Sequence, residues 1–172
     1  MADYLDGVKC YLSGPIEFAS DCFWRAEPIH ILKEKFGLEV FNPFADEKQQ
    51  WTHDIKAARE SDNVEELVRI AKSFVRKDLG MVDRSDFLIA YIPFGIKSVG
   101  TVHEIVNSNN SKKPTLLVTD QQTITQLPLW YFGFINVRYM FAGWNSLYKY
   151  LDKVNNGEEK EDDRWHLVYG IV

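Results

Sequence analysis

Two cysteines, Cys10 and Cys22, are all that 172 residues contain, and no Cys-x-x-Cys pair is formed. A disulfide framework is thereby excluded. Cys10 stands in an apolar, strand-like run and reads as a buried thiol. An excess of basic charge is also missing. Twenty Lys and Arg face 25 Asp and Glu for a net charge of −5, and the run EEKEDDR at 158–164 supplies −3 of it. The near-neutral remainder lacks the basic face that displaces counterions from a nucleic acid polymer. Long apolar runs are absent too. The most apolar, residues 87–96, is about ten residues long and broken by Pro93 and Gly95, too short to span a bilayer. The first six residues, MADYLD, are acidic where an export signal is basic. A cytoplasmic protein with no membrane partner is expected.

Several catalytic signatures are missing as well. There is no G-x-x-x-x-G-K-[ST] phosphate loop, no G-x-G-x-x-G fingerprint and no G-x-S-x-G nucleophile elbow. The four histidines, His30, His53, His103 and His166, are scattered with no H-E-x-x-H or Cys/His cluster, which argues against a metal site.

What is present is apolar and aromatic. Hydrophobic residues make up 45% of the chain, with 5 Trp, 8 Tyr and 11 Phe, enough for a sizeable core. The length predicts one domain over 1–172, ending in the acidic segment 158–164 and an apolar tail 165–172. Residues 8–12 (VKCYL) read as a strand closed by Ser13-Gly14-Pro15. Ile29, Leu32 and Phe36 recur at helical spacing before Gly37, and 39–41 form a second strand. Residues 45–61 are polar without clear periodicity, which predicts a variable excursion containing one short helix. Apolar residues from Val64 to Val75 then predict a long helix towards Val82. Residues 87–92 (FLIAYI) read as a strand buried on both faces. A helix over 101–110, a strand at 115–118, an aromatic patch at 129–134, a strand near 137–141 and a helix from Trp144 follow.

Alternating β and α units predict an α/β fold: a doubly wound, mostly parallel five-stranded sheet with helices on both faces, Rossmann- or flavodoxin-like. Ligands in such folds lie beyond the carboxyl ends of the strands, which directs attention to residues 13–16, 93–104 and 119–130.

Within these loops Glu104 is the sharpest candidate. Thr101-Val102-His103-Glu104 matches a T-x-x-E capping box, so its carboxylate either reaches back to the Thr101 amide or is available for chemistry. Asp86, just before the third strand, reads as structural. Asp83 is expected to pair with Arg84, Lys77 or Lys72 on an exposed face. Asp78, near the end of an amphipathic helix, reads on its own as solvated. Tyr11 is by default a core aromatic. The Ser13-Gly14-Pro15 turn offers backbone that a sugar or phosphate could approach closely.

In combination, these segments resemble the nucleoside 2-deoxyribosyltransferase family and related N-glycosidases of nucleoside monophosphates. The likeness rests on Tyr11-Leu12-Ser13-Gly14-Pro15, on Asp78 eight residues before Asp86 and its strand, on Gly100-Thr101-Val102-His103-Glu104, and on Lys113-Pro114. It covers the chain from Tyr11 to about Val118. The resemblance implies that Glu104 attacks the anomeric carbon, that Asp78 helps protonate the departing base, and that Tyr11 orients the nucleophile. Ser13, Gly14, Pro15 and Ile16 are expected at the substrate, as are Ser98, Gly100 and Trp130. No metal or organic cofactor is implied. The partners implied are a small nucleoside or nucleotide and further copies of this chain, in a homo-oligomer with shared active sites.

Two departures bear on substrate. Ser98 stands six residues before Glu104, where the transferases carry an acidic residue and the monophosphate glycosidases a phosphate-contacting serine. Leu127-Pro128-Leu129-Trp130 replaces the polar segment with which transferases supply an asparagine to a neighbouring subunit's site. Three functions are therefore expected in order: base exchange on 2′-deoxynucleosides, hydrolysis of nucleoside 5′-monophosphates, and nucleotide binding without turnover. The co-occurrence of Tyr11, Asp78 and Glu104 disfavours the last.

Overall fold

A computed structural model describes residues 3–16, 23–44 and 48–171; Cys22 lies outside them. Strand β1 (Lys9–Ser13) precedes a 3-10 turn (Phe23–Arg25) and helix α1 (Ala26–Phe36). Then come β2 (Glu39–Phe41), α2 (Lys48–Glu60), α3 (Val64–Arg84), β3 (Phe87–Ile92), α4 (Val99–Asn110) and β4 (Thr115–Thr119). The chain continues through β5 (Met140–Ala142), α5 (Trp144–Asn155) and the short α6 (His166–Tyr169). The sheet order is β2-β1-β3-β4-β5 and every pairing is parallel, the doubly wound order of the expected fold class.

Local chemistry accounts for much of this. β3 is apolar along its length because its first four residues are buried, as a central parallel strand requires. α1 stops where Gly37 adopts φ 66° and donates its N–H to the Leu32 and Lys33 carbonyls, a left-handed cap that favours glycine. Asp86 is structural as expected: its carboxylate accepts the Lys9 N–H at 2.7 Å and pins the start of β1 beside β3.

Three expectations are corrected. Residues 45–61 hold a thirteen-residue helix, α2, rather than a variable excursion. The strand expected near 137–141 is a 3-10 turn (Val137–Tyr139) followed by the three-residue β5. Asp83 forms none of the expected ion pairs and accepts a hydrogen bond from Asn107 Nδ2 at 3.0 Å. The acidic segment packs onto the fold. Glu159 and Asp162 both meet Arg138, the Tyr139 hydroxyl donates to Asp162, and Trp165 is fully buried with its indole N–H donating to Tyr150 Oη at 2.8 Å. The aromatic patch divides: Tyr131 is buried, whereas Leu129 and Trp130 are exposed. Among the described residues no helix is long and apolar enough to cross a membrane.

Candidate active site

Side chains alternate faces along a strand, so Tyr11 and Ser13 project from the same side of β1. That side meets α4. The Tyr11 hydroxyl donates to Glu104 Oε1 at 2.7 Å, and the Ser13 hydroxyl donates to Glu104 Oε2. Tyr11 is thus both the core aromatic and a partner of the candidate nucleophile. Only 9% of Glu104 is exposed. Burial pushes its carboxyl above the ordinary carboxylate range, opposed by the two hydroxyl donors; Asp78 adds to the rise and Arg25 counters it. Burial and the neighbouring Glu104 charge push the Tyr11 phenol up, so it remains a donor.

The capping reading of Glu104 is corrected by where α4 begins. Ser98, not Thr101, is the N-cap, accepting the Thr101 N–H at 3.3 Å and the Thr101 hydroxyl at 2.8 Å. Glu104 therefore sits one turn too deep to reach back to an uncapped amide. Asp78 is corrected as well: it is only 7% exposed. It projects from α3 into the same cavity that Glu104 lines, close enough for its charge to oppose ionisation of Glu104.

This cavity, of about 490 Å³, falls within the usual range for small-molecule sites. Of the expected substrate residues, Gly14, Ile16, Ser98 and Gly100 line it. Ser13 lies behind, on Glu104, and Pro15 is buried outside the lining. Trp130 is 80% exposed and away from the cavity wall, as is the rest of the 119–130 loop.

Two contributors escape sequence reasoning. Helix α2 turns one whole face to the cavity, with Trp51, Thr52, Ile55, Lys56 and Arg59 at spacings of one, three and four. Its mixed polarity hides it from a search for apolar periodicity. Arg25 is the second. It is buried, and its guanidinium donates to Leu12 O at 2.6 Å and Gly14 O at 2.9 Å while reaching Asn42 Oδ1 at 3.5 Å. It also lies over the Trp24 ring at 4.4 Å. That ring explains Gly14: a Cβ there would come within 2.4 Å of Trp24 Cζ2. Glycine is demanded by packing under the loop. Among the described residues no group of three or more His, Cys, Asp or Glu could hold a metal ion.

Two buried carboxylates, one gripped at both oxygens, face a small-molecule cavity at the switch point of a doubly wound sheet. By sequence, no family model matches the chain and no curated protein aligns with it. By structure it is similar to the 2-deoxyribosyltransferase of Bacillus psychrosaccharolyticus, with a TM-score of 0.53 and 20% identity over 81% of this chain and 90% of that one. A conserved protein of Enterococcus faecalis V583 aligns with a TM-score of 0.44 and 16% identity, over 87% of this chain and 88% of that one. The chain has the α/β fold of a 2-deoxyribosyltransferase.

Proposed function

We propose that this chain cleaves the N-glycosidic bond of a 2′-deoxynucleoside and passes the deoxyribosyl group to a second nucleobase. The observation that carries this reading is the Glu104 carboxylate, held at both oxygens by Tyr11 and Ser13 and opening onto the cavity. The shared fold with a deoxyribosyltransferase supports it. A Glu104 oxygen attacks C1′ as the bond to the base nitrogen breaks. The bonding electrons leave with the base, and Asp78 supplies the proton that makes the base a tolerable leaving group. An incoming base then attacks C1′, returns its proton to Asp78 and releases Glu104. A retaining glycosidase follows the same two-step logic.

A second reading keeps the first step and changes the substrate to a nucleoside 5′-monophosphate, with water as acceptor. It is favoured by Lys97, Ser98, Gly100 and Thr101, which bring the first turn of α4 and a cation to the cavity wall. A helix N-terminus of this kind suits a phosphate.

One incubation separates the readings. Deoxynucleosides and their monophosphates are supplied with and without a second free base, and base release and exchange are followed by chromatography. Exchange on unphosphorylated deoxynucleosides is expected. Release from monophosphates alone shifts the assignment to the glycosidase. Tight nucleotide binding with no reaction overturns both.

A further inference from the structure

β1 outruns its neighbour β2. Their register pairs Lys9, Cys10 and Tyr11 with Glu39, Val40 and Phe41, and there β2 ends. Of the described strands only β3 continues beside Leu12 and Ser13, through Ile89 and Ala90. Carbonyls alternate in direction along a strand, and two bonds fix which row faces β2. Val8 O accepts the Glu39 N–H at 2.9 Å, whereas Lys9 O accepts the Asp86 N–H on the β3 side at 2.7 Å. Leu12 O therefore belongs to the row of Val8, and Gly14 O follows it one residue beyond the strand. Both residues are buried, so two carbonyls that need donors face a place that β2 does not reach.

The Arg25 guanidinium fills that place. Nη1 donates to Leu12 O and Nη2 to Gly14 O, and Nη1 also reaches Asn42, the residue that follows β2. The group lies over Trp24, whose ring packs on Tyr91 of β3 with centroids 4.6 Å apart. Between the two clamped carbonyls stands Ser13, whose hydroxyl donates to Glu104. We infer that Arg25 stands in for the missing rungs of β2 and so holds the Ser13 hydroxyl on Glu104, a positioning residue that acts through the backbone as well as through its charge. Tyr11 needs no such help, because β2 and β3 flank it on both sides. A part for Arg25 in turnover rests on the function proposed above; its part in holding the carboxylate does not.

NMR titration of carboxyl-labelled glutamates in the whole protein tests this without requiring turnover, the Glu104 signal being the one absent from Glu104→Gln. Ser13→Ala and Tyr11→Phe each remove one donor and are expected to move the Glu104 midpoint up by about one pH unit. Arg25→Lys keeps a charge but offers one nitrogen where the fork has two. In that background the Ser13→Ala step is expected to shrink to less than half while the Tyr11→Phe step persists. Trp24→Leu strips the ring beneath the guanidinium and should give the same pattern more weakly, which keeps the test open if Arg25→Lys fails to fold. A full Ser13→Ala step in these backgrounds overturns the proposal. Equal shrinkage of both steps overturns it too, since general loosening treats the two donors alike. Where base release or exchange is measured, Arg25→Lys is expected to lower kcat about tenfold with KM little changed, and an unchanged kcat overturns the part in turnover. The titration pattern in a protein that releases no base upholds the grip and removes the glycosidic reading.

Discussion

Tyr11 and Ser13, two residues apart on β1, donate their hydroxyls to different oxygens of the single Glu104 carboxylate. A protonated acid accepts well only at its carbonyl oxygen, so it cannot keep both bonds in the same form. Both therefore favour the ionised state that a nucleophile needs, against burial and the nearby Asp78 charge that resist it. Ser13, placed by sequence at the substrate, instead holds the Glu104 carboxylate, and in the proposed function it is a positioning residue.

Ser13→Ala removes one of the donors that hold the Glu104 pKa down. The acid limb of kcat/KM should move to higher pH, and kcat at its plateau should fall by about ten- to hundredfold. Ser13→Thr should restore most of both. An unshifted limb in Ser13→Ala would exclude the positioning role.

Glu104→Gln should fold and lose turnover. Its stability carries a second signature. The Glu104 pKa is raised in the folded state, so its contribution to stability is full below the unfolded carboxylate pKa and is lost as pH rises through the folded value. The variant should then have a higher Tm than the parent at pH 8, with the gap closing on acidification. A gap independent of pH in thermal melts would contradict this.

The Arg25 guanidinium satisfies two carbonyls at the end of β1 from within the core. Arg25→Ala should cost about 3 kcal/mol or more in urea unfolding, since charged hydrogen bonds are lost and buried acceptors are left bare. Arg25→Lys keeps charge but not the fork, and should recover only part of this. If Arg25→Ala remains folded, the loss of its charge should move the acid limb upward, whereas Arg25→Lys should leave it nearer the parent.

Gly14→Ala should destabilise by about 1–3 kcal/mol through collision with Trp24. Trp24→Leu in the same chain should relieve it, with a coupling of about 1 kcal/mol between the two sites. Additive losses would mean that the loop, not the ring, dictates glycine.

The parts of the site legible in the sequence are those whose chemistry is local. Tyr11, Ser13 and Glu104 lie in short segments bounded by Gly and Pro, and β3 announces itself as an unbroken apolar run. Asp78 was legible only through resemblance. On a helix its burial depends on α4 and α2 arriving from elsewhere, and the two residues before it, Arg76 and Lys77, are charged. α2 escapes the sequence for a related reason. Its inward face is shaped for a cavity rather than for a core, so polar and apolar residues alternate without the usual stripe. Arg25 left no trace, because its acceptors are backbone carbonyls that any sequence supplies.

Glu104 and its two hydroxyl partners are separated by 91 and 93 residues of chain, and come together only when α4 settles against the neighbouring strands β1 and β3. Closing so long a loop is a late and cooperative event in folding. The grip on the Glu104 carboxylate thus belongs to the global fold and not to any local unit. Fraying of the edge strands β2 and β5 leaves it in place, so on heating the loss of the proposed activity should coincide with whole-chain unfolding rather than precede it.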